Sequence, residues 1–234
     1  MASTNLSVQQ KALRSSVVKK VVMAVTGLVL IAFLLMHMYG NLKIFIGPEA
    51  YNDYAEFLKQ DLLAPILPHG WFIWIFRAVL FICLVLHIYC AITLWSVSVE
   101  ARGKSKYVRK NRKEQTLASR FMRWGGIALF LLIVFHILMF TSNTFQLGWT
   151  GKQEPYTMFM GAFAQPWMVV IYAVFVGIVC VHIRHGFWSA FATLGANVGK
   201  YAQIVLNVIA YFVAVLVFVG FMLPPVAVCF GLVS

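Results

Sequence analysis

Five long apolar runs, roughly 21–44, 71–97, 124–146, 166–190 and 203–224, alternate with polar segments along the chain. About 20 apolar residues are needed to cross a hydrocarbon core about 30 Å thick, so every run is of membrane-spanning length. The pattern predicts an all-α integral membrane bundle of five transmembrane helices, formed as a single domain over residues 1–234. Gly40 and Gly47-Pro48 punctuate the exit of the first helix, and Pro65 and Pro68 precede the second. Between them, residues 49–63 predict a short amphipathic helix within an ordered loop. Pro224-Pro225 predicts the end of the fifth helix, because proline removes a backbone donor and crowds the preceding turn.

Composition agrees with a lipid solvent. Hydrophobic residues make up 62% of the chain and charged residues 11%, and mean hydropathy is +0.84, which excludes an ordinary soluble domain. Lys11, Arg14, Lys19 and Lys20 precede the first run in the manner of a secretory signal. The run is longer than a signal core, however, and no small-x-small site follows it before His37, so it reads as a retained first helix.

The formal charge of +12 is distributed as a topology signal. Segment 98–123 carries nine basic residues: Arg102, Lys104, Lys106, Arg109, Lys110, Arg112, Lys113, Arg120 and Arg123. With the basic N-terminal arm, it belongs in the cytoplasm by the positive-inside rule. The 45–70 loop holds Glu49, Asp53, Glu56 and Asp61 against a single Lys59, and belongs outside. The N-terminus is therefore expected in the cytoplasm and the C-terminus outside, in the cell membrane. The basic surface suits anionic lipid or a docked cytoplasmic protein, and nucleic-acid binding is not expected.

Four histidines, His37, His87, His136 and His182, each lie in a different apolar run, at intervals of 50, 49 and 46 residues. An ionisable side chain in hydrocarbon is costly unless it faces the bundle interior and finds a partner, so four such positions ask for a common cause. At a rise of about 1.5 Å per residue in helices of alternating direction, His37 and His136 fall about 10–14 Å from the outer ends, and His87 and His182 about 24 Å. They sort into an outer pair and an inner pair. A neutral imidazole is a good ligand for haem iron, and two of them close both axial positions, leaving one-electron transfer as the group's work. The pairs predict two b haems, with His37 and His136 holding the outer iron and His87 and His182 the inner one. Cys83, Cys90, Cys180 and Cys229 form no C-x-x-C pair and read as packing residues. Cys83 and His87 share a helix face at i, i+4, which leaves an embedded iron-sulfur site as an alternative.

On these residues the chain resembles the di-haem cytochrome b membrane anchor of succinate:quinone oxidoreductases, the family of succinate dehydrogenases and fumarate reductases. The likeness rests on Gly27-Leu28 leading to His37 and Met38-Tyr39-Gly40-Asn41-Leu42. It rests equally on His87-Ile88-Tyr89, on Phe135-His136-Ile137, and on His182-Ile-Arg-His185-Gly186-Phe-Trp188-Ser189 running on to Leu194-Gly195. The family's spacing to that glycine favours His182 over His185 as the ligand. The resemblance implies a flavoprotein and an iron-sulfur subunit docked on the cytoplasmic face, near the basic segment and Lys200. It also implies electron exchange between the iron-sulfur subunit and a quinone, usually menaquinone. The chain has no flavin or iron-sulfur fingerprint, so dicarboxylate chemistry would belong to its partners.

Haem propionates need cationic or hydroxyl partners, for which Arg184, His185 and Ser189 are candidates beside an interfacial reading of the same cluster. Quinone reduction takes up protons, which points to Glu56 and Asp61 beside a solvated-face reading. Lys43 and Arg77 are expected to pair with those acids or with propionates, and Trp71, Trp74, Trp149 and Trp167 to form interfacial belts. Two other classes compete: a cytochrome b anchor of a hydrogenase, formate dehydrogenase or nitrate reductase, and a haem-free histidine-lined transporter. Few further intramembrane acids or amides are present to continue a polar path of the second kind.

Overall fold

The computed structural model describes residues 15–101, 115–151 and 153–233. Lys11 and Arg14 of the N-terminal arm, and seven of the basic residues of segment 98–123 (Arg102, Lys104, Lys106, Arg109, Lys110, Arg112 and Lys113), lie outside the described residues. The described chain is helical with no strand: α1 Ser16–Leu42, a 3-10 turn Lys43–Phe45, α2 Pro48–Gln60, α3 Trp71–Glu100, α4 Gln115–Phe140, α5 Pro155–Phe163, α6 Pro166–Thr193 and α7 Lys200–Cys229. Five of these helices, α1, α3, α4, α6 and α7, are long and apolar enough to cross a membrane. Ser15 caps α1 by accepting from the Val17 N–H, and prolines open α2, α5 and α6, where their missing N–H leaves no helical bond unmade.

Side-chain contacts fix the alternation of helix direction. Lys19 lies 6.0 Å from the Tyr89 ring, Arg123 5.5 Å from Trp95, and Arg184 4.5 Å from Tyr211. The starts of α1, α4 and α7 therefore share one end of the bundle with the ends of α3 and α6. At the opposite end, Asn52 on α2 donates to Glu154 at 2.6 Å and accepts from the Tyr156 N–H at 3.0 Å, which fastens α2 to α5.

α1 and α6 pack together through the middle; α3 lies on α1, α4 on α6, and α7 covers both central helices. No extensive packing joins α3 to α4 or α6, or α1 to α4, among the described residues. The bundle is thus two layered pairs in contact along α1 and α6, and the histidines sit on the open flanks between them.

The tightest packing lies at the α2–α5 end. Ile44, Met139, Trp149, Tyr156, Phe159, Phe163, Met168, Tyr172 and Val228 form one buried cluster there. Its position has a physical reason. In lipid, burying an apolar side chain against another helix displaces equally apolar tails, whereas at the water-facing end the hydrophobic effect acts in full.

Three expectations are corrected. Trp149 is no belt residue: it is buried in this cluster, and its Nε1 donates to Asn143 Oδ1 at 2.8 Å. Trp71, Trp74 and Trp167 are exposed at helix ends, as interfacial anchors should be. The third spanning helix stops at Phe140 rather than near 146, because Ser142 N–H returns to the Ile137 carbonyl and Asn143 takes a left-handed φ of 54°. α7 continues through Pro224 and Pro225 to Cys229. A proline φ is itself helical, and burial of Pro224, Ala227 and Val228 against the aromatic end offsets the missing bonds to the carbonyls four residues back.

The loop after α4 reaches α5 through a glycine pair. A Cβ on Gly148, whose φ is +97°, would overlap the Gly161 carbonyl, and a Cβ on Gly161 would overlap that of Gly148. Gly161→Ala should destabilise the chain by about 1–3 kcal/mol, the usual cost of overpacking. A lowered thermal unfolding temperature of the purified protein checks this; an unchanged one would show that the two backbones do not meet.

Candidate functional site: two imidazole pairs

The four histidines come together as two pairs. The rings of His37 on α1 and His136 on α4 have centroids 5.8 Å apart, and those of His87 on α3 and His182 on α6 are 6.2 Å apart. Each pair crosses between helices that do not otherwise pack closely.

Glycine positions the inner pair. A Cβ on Gly27 would lie 3.1 Å from His87 Cε1, so any larger residue there would crowd the ring by a few tenths of an ångström or more. The His87 Nδ1 then reaches the Met23 carbonyl at 3.1 Å, the same oxygen that the Gly27 N–H meets in the helical ladder. Thr26 Oγ1, which donates to Val22 O at 2.7 Å, lies 3.4 Å from the same nitrogen. A carbonyl can only accept, so Nδ1 carries the hydrogen and Nε2 is left with a free lone pair.

The outer pair is set by aromatics. His136 Nδ1 lies 3.0 Å from the Tyr172 hydroxyl on α6. His37 is flanked by Phe33, at 5.5 Å between centroids, and Phe221, at 5.7 Å.

Two independent rulers give the separation of the layers. On α1, His37 follows Gly27 by ten residues; on α6, His182 follows Tyr172 by ten. Both correspond to about 15 Å along a helix axis, slightly more than the difference of about 10–14 Å between the depths expected from run lengths.

These residues fit a metal held between imidazoles. Metal–nitrogen bonds of about 2.0–2.1 Å would put the centroids of two rings on one ion about 6 Å apart, close to both observed separations. Among the described residues no three His, Cys, Asp or Glu gather into a cluster, so His87 has His182 for a partner rather than Cys83 and a set of further ligands. Three buried nitrogens near the end of α6 lack partners. His182 Nδ1, Arg184 Nε and Trp188 Nε1 have no hydrogen-bond partner, and an unpaired buried donor costs about 1–3 kcal/mol. His182 Nδ1 lies on the side of α6 turned toward His87, whereas Arg184 and Trp188, two and six residues on, share the side turned toward α7.

Of the other candidates, His185 and Ser189 fall on the His182 face at i+3 and i+7, and both are half-buried. Arg184 faces α7, stacked on Tyr211. Glu56 is exposed on α2, and Asp61 is exposed and paired with His69 at 3.1 Å; neither touches the His37–His136 pair. Lys43 lies over the rings of Tyr39 and Tyr54, and Arg77 over Trp74, rather than against acids. Sequence reasoning missed Thr26 and Tyr172 as site residues. Tyr172 is one aromatic among many in its run, and only the fold turns its hydroxyl toward a histidine.

Replacing Gly27 by valine should push the His87 ring off Met23 and destabilise the chain by about 1–3 kcal/mol, measurable by thermal unfolding. Retention of full stability would mean that the ring does not rest on Gly27. No family model, no curated protein and no solved structure matches this chain.

Proposed function

We propose that the chain is the di-haem cytochrome b anchor of a succinate:quinone oxidoreductase, linking a cytoplasmic iron-sulfur subunit and its flavoprotein to a quinone in the cell membrane. The observation that carries the haem reading is the meeting of four intramembrane histidines as two imidazole pairs about 6 Å across at two depths. The assignment to this family adds the sequence resemblance.

His87 and His182 would hold one haem b near the cytoplasmic end, and His37 and His136 the other toward the outer face. A haem closed on both sides by imidazole exchanges single electrons and offers no site to oxygen. The residues around it do the rest. The Met23 carbonyl fixes the Nδ1–H tautomer of His87, and with iron on His136 Nε2 the Tyr172 hydroxyl would accept from Nδ1–H of that ring; either bond raises the basicity of the ligating nitrogen. His185 and Ser189, on the His182 face of α6, would be the partners for propionates, while Arg184 is turned toward Tyr211 of α7. At the other end Glu56 and Asp61, joined by Glu154 beside Asn52, supply acids from which a menaquinone could take protons. The basic end of the bundle, with Lys19, Lys20, Arg123 and Lys200, would face the cytoplasm and the soluble subunits.

The purified membrane complex should show two low-spin b haems per chain in reduced-minus-oxidised spectra. His182→Ala or His87→Ala should lose one and retain the other. No haem in the wild type would overturn this reading in favour of a histidine-lined transporter, and haem without copurifying flavoprotein would favour another oxidoreductase anchor.

Tyr172→Phe removes the acceptor from His136 Nδ1–H and weakens that ligand's donation to ferric iron. The outer midpoint potential alone should rise, by about 40 mV if the bond contributes about 1 kcal/mol. A redox titration that finds both potentials unchanged would refute the role given to Tyr172.

A further inference from the structure

Away from the histidines, a cavity of about 400 Å³ opens between the end of α2, the 61–70 loop and the first turns of α3, lined by Lys59, His69, Trp71, Trp74 and Arg77 among others. It lies at the end of the bundle opposite Lys19, Arg123 and Lys200. Its cations are not neutralised by the protein. Asp61 is engaged by His69, and neither Lys59 nor Arg77 pairs with a carboxylate among the described residues. Arg77 stands six residues inside α3, about 9 Å along the axis from Trp71, and a guanidinium at that depth of a spanning helix calls for a counter-charge. Its guanidinium carbon is held 5.1 Å from the Trp74 ring, which orients the fork while leaving its N–H donors free for an anion.

The level of the cavity identifies the anion. Trp71 is 60% exposed and Trp74 69% exposed, on a helix whose neighbouring surface is apolar. Exposed indoles at the end of a spanning helix sit at headgroup level, where lipid phosphates are concentrated. We propose that this cavity binds the phosphate of a phospholipid headgroup, with Lys59 and Arg77 on its oxygens and the two indoles against the start of its acyl chains. The site is independent of the haems, and its success or failure says nothing about them.

The full-length chain, purified in an uncharged maltoside detergent, would be titrated with short-chain phosphatidylglycerol while thermal unfolding and lipid retained in native mass spectra are followed. The lipid should raise the unfolding temperature and remain bound at one per chain. Lys59→Gln and Arg77→Gln should each weaken apparent affinity about five-fold, the effect of one cation near an anionic lipid. Arg77→Lys should recover part of the loss. Lys43→Gln removes the same charge from the same end and should leave affinity unchanged. Equal weakening by Lys43→Gln would overturn the site in favour of diffuse attraction. Equal stabilisation by inorganic phosphate at matched concentration would overturn the assignment to lipid, and undiminished binding by the two glutamine variants would overturn the proposal entirely.

Discussion

The structure depends on one constraint: an imidazole carried into hydrocarbon must find a partner inside the bundle. Hydrophobic packing cannot dictate the interior of a lipid-solvated bundle, since every apolar face is equally content against a tail. The histidine pairs supply the missing discrimination. Each unites a helix of the α1–α3 layer with a helix of the α4–α6 layer, across flanks that backbone packing leaves open. The approach of two rings therefore joins the layers where backbone packing does not.

Rigidity is divided accordingly. The α2–α5 end is held as a soluble domain is held, by a buried aromatic cluster, a glycine–glycine backbone contact and the Asn52 link. The middle is held by close approach at single points, Gly27 against His87 and Gly220 against Met38, where the absence of a Cβ sets how near two helices come. Small residues in a membrane bundle thus specify distance rather than flexibility.

Much of this was legible in the chain. Five runs and the K/R asymmetry yield the bundle and its expected orientation, and equal histidine spacing in antiparallel helices leads to two layers without knowledge of any contact. The amphipathic helix after Gly47-Pro48 was legible from its punctuation. What escaped depends on tertiary packing. Thr141-Ser142-Asn143 stops α4 although Phe145 continues the apolar pattern, and α5 is too short to stand out among apolar neighbours. Pro224-Pro225 is a local stop signal overridden by the buried surface beyond it. The choice of a carbonyl for His87 and a phenol for His136 leaves no trace in spacing at all.

The pairing of His37 with His136 and of His87 with His182 also orders the birth of the molecule. Each pair draws one ring from the first half of the chain and one from the second, so neither half can complete a pair alone. During synthesis the outer pair is whole once α4 has emerged, while the inner pair waits for α6. A ribosome-bound chain ending between them would possess one complete pair and one solitary imidazole on α3. Until α6 arrives, that imidazole has only the Met23 carbonyl and Thr26 of α1 as polar company.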